Sequence, residues 1–138
     1  MIPNWPIAFL AIVTGVTLYA DPIDLTRQQA SDLFVALQRI DPGLSPDNVV
    51  VAADNITALK PIVEALDKGK VRAQREMDAL SGEDRAAKAW AIRDKIEAKG
   101  DEVVKIDLTR MEITADEIKA AKVRPADLAP LRQFLKKK

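Results

Sequence analysis

Hydrophobic and polar positions along this chain change period several times, and each change marks an element. From Pro22 onward Ile23 and Leu25 alternate with polar neighbours, which predicts a short strand. Thr26, with Gln29 three residues on, forms a capping box, so a helix is expected to start there. Its apolar positions Ala30, Leu33, Phe34, Leu37 and Ile40 recur at helical spacing until Asp41-Pro42-Gly43 interrupts them. Phe34 reads as ordinary core packing. A second helix opens with Ser45 as N-cap and Pro46 at the first helical position. It extends to about Leu80, with a kink expected near Pro61. From there Leu59, Ile62, Leu66, Gly69, Ala73, Met77 and Leu80 draw a narrow seam, closer to coiled-coil packing than to a broad globular face. Asp54 and Asn55 are expected on the solvated side of this helix.

Ser81-Gly82 breaks the pattern, and Glu83 and Asp84 suit the start of another helix, which presents Ala86, Ala89, Ile92 and Ile96 up to about Lys99. Gly100 is expected to close it as a C-terminal cap. Helices joined by so short a break must lie antiparallel, giving a long hairpin from Ser45 to Lys99. The period then drops to two: Val104, Ile106 and Leu108 face one way and Val103, Lys105 and Asp107 the other. Ile106–Arg110 repeats Ile23–Arg27 letter for letter, too short a match to be a duplication but well placed for two paired strands. Thr114 and Glu117 form a second capping box. Arg124-Pro125-Ala126-Asp127-Leu128 is expected to open a short C-terminal helix with Leu128, Leu131 and either Phe134 or Leu135 turned inward. The predicted fold is therefore mainly α (α+β): a long antiparallel helical hairpin, a small two-stranded sheet and a short C-terminal helix.

Residues 1–20 stand apart from residues 21–138, which read as a single helical-hairpin domain. They carry no charged side chain. As a helix, Ile2 to Ala20 would span about 28 Å, barely a bilayer's hydrocarbon thickness. Pro3, Pro6 and Gly15 weaken a helix, and Val16 to Tyr19 suits a strand. Three readings stay open: a membrane anchor, an arm or strand covered by a partner, and a cleaved signal that lacks a basic leading region.

Composition mainly excludes. With 48% apolar residues, 30% charged and 4% aromatic, the chain is neither disordered nor built like an aromatic-rich β-sandwich. It has no Cys, hence no disulfide, thiolate zinc site or cysteine nucleophile; it has no His, the usual general base and metal ligand. No constellation of Asp, Glu, Lys and Tyr replaces them, so no enzyme, cofactor or metal site is expected. Net charge is zero, but residues 1–67 hold three bases against eight acids and residues 68–138 eighteen against thirteen. Solvated helix faces account for this better than a nucleic-acid surface, which would need a basic excess with interleaved aromatics. Lys136–Lys138 read as a solubilising tail. Phe9, Leu10, Ile12 and Trp90 are the candidate partner-binding residues, although Trp90, beside its stripe, also suits the flank of its own hairpin.

Ile23-Asp24-Leu25-Thr26, Ala58-Leu59-Lys60-Pro61 with Val63-Glu64-Ala65-Leu66, Val104 to Leu108, and Val123, Pro125-Ala126-Asp127-Leu128 and Leu131 together resemble a group of small proteins of tailed bacteriophages and prophages, encoded near virion or tail genes. The likeness covers about residues 22–138. It implies a non-enzymatic structural or assembly protein acting through protein contacts, with virion components or copies of itself as partners, in the virion or host cytoplasm. The alternatives are an inner-membrane accessory protein anchored by residues 1–20 and an inhibitor of a host enzyme or defence complex.

Overall fold

A computed structural model describes residues 20–135. Its elements are β1 (Ala20–Thr26), α1 (Arg27–Ile40), a 3-10 turn (Asp41–Gly43), α2 (Pro46–Asp78), α3 (Arg85–Asp101), β2 (Val103–Thr109), α4 (Ala115–Ala121) and two further 3-10 segments, Pro125–Asp127 and Ala129–Phe134. The fold is mainly helical with one two-stranded antiparallel sheet, as expected. Ile23 pairs with Ile106, Asp24 with Lys105 and Leu25 with Val104. The repeated pentapeptides thus meet at their isoleucines and run in opposite directions.

The core lies where α1, the first half of α2, β2 and the C-terminal segment converge. Leu33, Leu37, Ile40, Leu59, Leu108, Ile113 and Leu131 are fully buried there, each worth about 1.5–3 kcal/mol of apolar burial. Both capping boxes form: Thr26 with Gln29, and Thr114 with Glu117. Glu117 also reaches across to α2, accepting from the Ser45 N–H at 2.8 Å and from the Asn48 amide at 2.9 Å. Its position at the start of α2 places an anion against the positive end of a long helix dipole. At the turn before α2, Gly43 is held so close to α4 that an added Cβ would lie 2.3 Å from the Ala121 nitrogen and the Glu117 carbonyl.

Several expectations are corrected. Asn55 is not on a solvated face; it is 1% exposed and bonds Thr109 through both ends of its amide, while Asp54 does face solvent. It shares the helical phase of Ala52 and Leu59, and the amide is carried inward because a strand end there needs partners. Gly100 does not cap α3 but lies inside its last turn, buried, where an added Cβ would be 3.6 Å from Gln28; Glu102 is the capping residue. The C-terminal segment is two 3-10 pieces instead of an α-helix. Pro130 lacks the N–H for an α-helical bond and would crowd the Ala126 carbonyl, so the chain winds more tightly. Of the two residues considered there, Phe134 is buried and Leu135 half-buried.

The membrane as partner and the inner-membrane location are also corrected: among the described residues no helix is long and apolar enough to cross a membrane. The 33 residues of α2 are long enough, but Asp47, Asp54, Lys60, Glu64, Asp67, Lys68, Lys70, Arg72, Arg75, Glu76 and Asp78 distribute charge along its length. Apart from Ala20, which begins β1, the segment 1–20 lies outside the described residues.

Candidate protein-docking surface

Past the core, α2 and α3 continue as a two-helix arm. Beyond Leu66 no residue of α2 is buried, and Gly100 is the only buried residue of α3. The seam of Gly69, Ala73 and Met77 on one helix, Leu80 just past its end, and Ala89, Ile92 and Ile96 on the other is half-buried throughout. Two helices can bury only the line along which they touch, and a closed apolar seam takes a third or fourth helix. Small residues bring the two close: an added Cβ at Gly69 would sit 3.2 Å from the Ile96 Cδ1. At the tip Gly82, with φ +92°, supplies the left-handed conformation that turns the chain.

Trp90 lies on this arm and is 62% exposed, with the Arg93 guanidinium 5.6 Å from its ring centroid. A stacked cation of this kind holds the indole in place without covering it. Val71 is 51% exposed on the same arm. Residues 68–99 carry nine Lys or Arg against six Asp or Glu, so the arm is modestly basic. The candidates Phe9, Leu10 and Ile12 lie outside the described residues.

Elsewhere three carboxylates are engaged structurally. Burial opposes ionisation of Glu117, but the Ser45 and Thr114 backbone N–H groups, the Asn48 amide and the Thr114 hydroxyl overcome it and hold the carboxyl at about 2. Asp127 is held below the usual carboxylate range by the Arg39 guanidinium, against burial, and by the Arg124 N–H. Lys99 and then Arg27 do the same for Glu102 at the root of the arm. A shallow groove of about 350 Å³ runs between Leu25, Gln29, Asp32, Leu33, Ala129, Pro130 and Gln133. Gln29 is committed to the Thr26 cap, and Asp32 accepts from Gln28. No group of three or more His, Cys, Asp and Glu that could hold a metal occurs among the described residues.

Sequence reasoning located the arm and Trp90 but missed Asn55 and the reach of Glu117. For Asn55 a signal was present: Asn48, Ala52, Asn55 and Leu59 recur at three- and four-residue steps, putting two amides in the phase of the core. Comparison with protein-family models, curated proteins and solved structures finds no match.

Proposed function

We propose that this chain is a non-enzymatic assembly protein that captures a protein partner along its projecting hairpin. The observation that carries this is the half-covered seam between Gly69 and Ile96, flanked by an exposed tryptophan and continuous with a well-packed core. A surface of this shape accepts an amphipathic helix, whose apolar stripe completes the seam as a third helix would. The basic excess of the arm favours a stripe bordered by acidic residues. The virion or tail setting comes from the sequence resemblance and completes the proposal.

The test is quantitative proteomics of purified particles from a host producing the full chain, with Trp90→Ala and Ile92→Asp variants alongside. The chain is expected in particles at constant stoichiometry, and both variants are expected to reduce that occupancy without lowering the thermal midpoint of the free protein by more than a few degrees. A chain absent from particles refutes the virion setting, and one incorporated equally in all three forms refutes the hairpin as the docking surface.

A further inference from the structure

The phase of the β1–β2 ladder is set at both ends. The Arg27 N–H donates to the Glu102 carbonyl at 2.9 Å, one step beyond the Thr26–Val103 pair. Hydrogen-bonded and non-bonded pairs alternate in an antiparallel ladder. The main-chain groups of Leu25 and Val104, and of Ile23 and Ile106, therefore face each other. Those of Pro22, Asp24 and Thr26 point away from the sheet on one side, and those of Val103, Lys105, Asp107 and Thr109 on the other. Asn55 confirms this phase independently, since it meets the Thr109 N–H at 2.8 Å and the Thr109 carbonyl at 3.0 Å from outside the ladder.

The two edges differ. On β1, Pro22 has no N–H to offer and the Thr26 N–H is committed to the Gln29 side chain at 2.9 Å. That edge is blunted, as exposed edges usually are. On β2, Asn55 occupies only Thr109. Among the described residues nothing pairs with the outward main-chain groups of Val103, Lys105 and Asp107. Val103 is 66% exposed, and the side chains of Lys105 and Asp107 are exposed beside it.

We propose that the outer edge of β2 is a self-association edge, on which a second copy of this chain adds its own β2 antiparallel about Ile106. The sequence Val104-Lys105-Ile106-Asp107-Leu108 is self-complementary in that register. Ile106 meets Ile106, Val104 meets Leu108, and each Lys105 stands opposite Asp107 of the second copy, twice by symmetry. The neighbouring two-fold register, centred on Lys105, would engage one more main-chain pair but sets Lys105 against Lys105, and directly opposed like charges are unfavourable. Charge thus selects the Ile106 register. Asp24, opposite Lys105 within the sheet, continues the alternation into a row of Asp24, Lys105 and the second copy's Asp107. The Asn55 amides end the interface on both sides, because they already hold Thr109. The edge is independent of the hairpin, and its test is read apart from hairpin docking.

Sedimentation velocity of the full chain across a wide concentration range tests this. A concentration-dependent dimer is expected, weakened by salt. Lys105→Asp and Asp107→Lys should each weaken association by about tenfold or more, while the double charge swap restores it. The chain has no cysteine, so mixing Lys105→Cys chains with Asp107→Cys chains under mild oxidation should give a mixed disulfide, with little from Lys105→Cys alone. Trp90→Ala should leave the dimer unchanged. A chain that remains monomeric throughout overturns the proposal. So does a dimer indifferent to both charge variants, which would place the contact on the hairpin or on residues 1–19. Crosslinking of Lys105→Cys with itself would overturn the register.

Discussion

Replacing Asn55 by leucine tests whether a buried amide, more than the apolar seam, pins the sheet to the long helix. Leucine keeps the branching of the side chain and the helix, but it removes both bonds to Thr109. Asn55 is 1% exposed, so water is poorly placed to replace them. Each buried main-chain group left without a partner costs about 1–3 kcal/mol. Leucine's additional apolar burial recovers about 1 kcal/mol of that. The expected net loss is about 2–4 kcal/mol, a large share of the roughly 5–15 kcal/mol that holds an ordinary domain. In urea the midpoint should fall by about 1–2 M with an unchanged slope.

Asn55→Asp separates the bonds from packing. Ionised, the carboxylate cannot donate to the Thr109 carbonyl and is buried without a counter-charge. Its folded-state pKa is then raised above the unfolded value of about 3.9. The penalty is absent below that value and grows as pH rises towards the folded pKa. Asn55→Asp should therefore approach the wild type as pH falls to about 4, whereas Asn55→Leu should not. A leucine variant within about 0.5 kcal/mol of wild type at neutral pH would refute the reasoning, as it would lie in the range of ordinary surface changes.

Glu117 is expected to make the fold acid-sensitive. Its carboxyl is lowered from an ordinary 4.5 to about 2, so its contribution is complete above about pH 4.5 and is lost as pH falls through 2. That shift corresponds to roughly 3 kcal/mol; in denaturant titrations across this window Glu117→Gln should remove most of the slope. Gly43→Ala should destabilise by about 1–3 kcal/mol or more, because its Cβ meets fixed backbone of α4 and not a side chain that can swing away; an unchanged thermal midpoint would contradict the close approach. Trp90→Ala should change the stability of the free chain by less than about 1 kcal/mol, given its exposure, with any larger loss showing that the indole packs on its own hairpin.

Elements with one strong periodic signal are legible in the sequence. The α1 stripe from Ala30 to Ile40, both capping boxes, the Gly82 turn and the alternation of Val104, Ile106 and Leu108 lie within a few residues of each other and need no distant partner. What escaped depends on contacts across the chain. Gly43 was legible as a breaker but not as a point of backbone contact, because α4 arrives more than seventy residues later. Gly100 has the letter of a cap, yet it is retained inside the helix because Gln28 of α1 packs on it. Arg124 to Leu128 carries helix-start signals, but Pro130, two residues later, forbids the α-helix they announce. On the candidate surface, Trp90 was visible as a chemically unusual letter, whereas the openness of the seam is a property of the assembled arm.

The duplicated pentapeptide shows how context divides identical letters. Ile23–Arg27 and Ile106–Arg110 both turn isoleucine and leucine toward the core and end on Thr-Arg. After Thr26 comes Gln29, and the two close a capping box that starts α1. After Thr109 comes Glu112, at the spacing a capping box needs, yet no helix begins. Met111 and Ile113 are 7% and 1% exposed, an alternation that only extended chain can bury on one side. Asn55 has also taken the Thr109 N–H and carbonyl, so the strand end is pinned from α2. The same threonine that frees its chain to turn into a helix at one edge is tied down at the other. That difference leaves β1 blunted by its own cap and by Pro22, while among the described residues β2 keeps three residues of open edge, at Val103, Lys105 and Asp107.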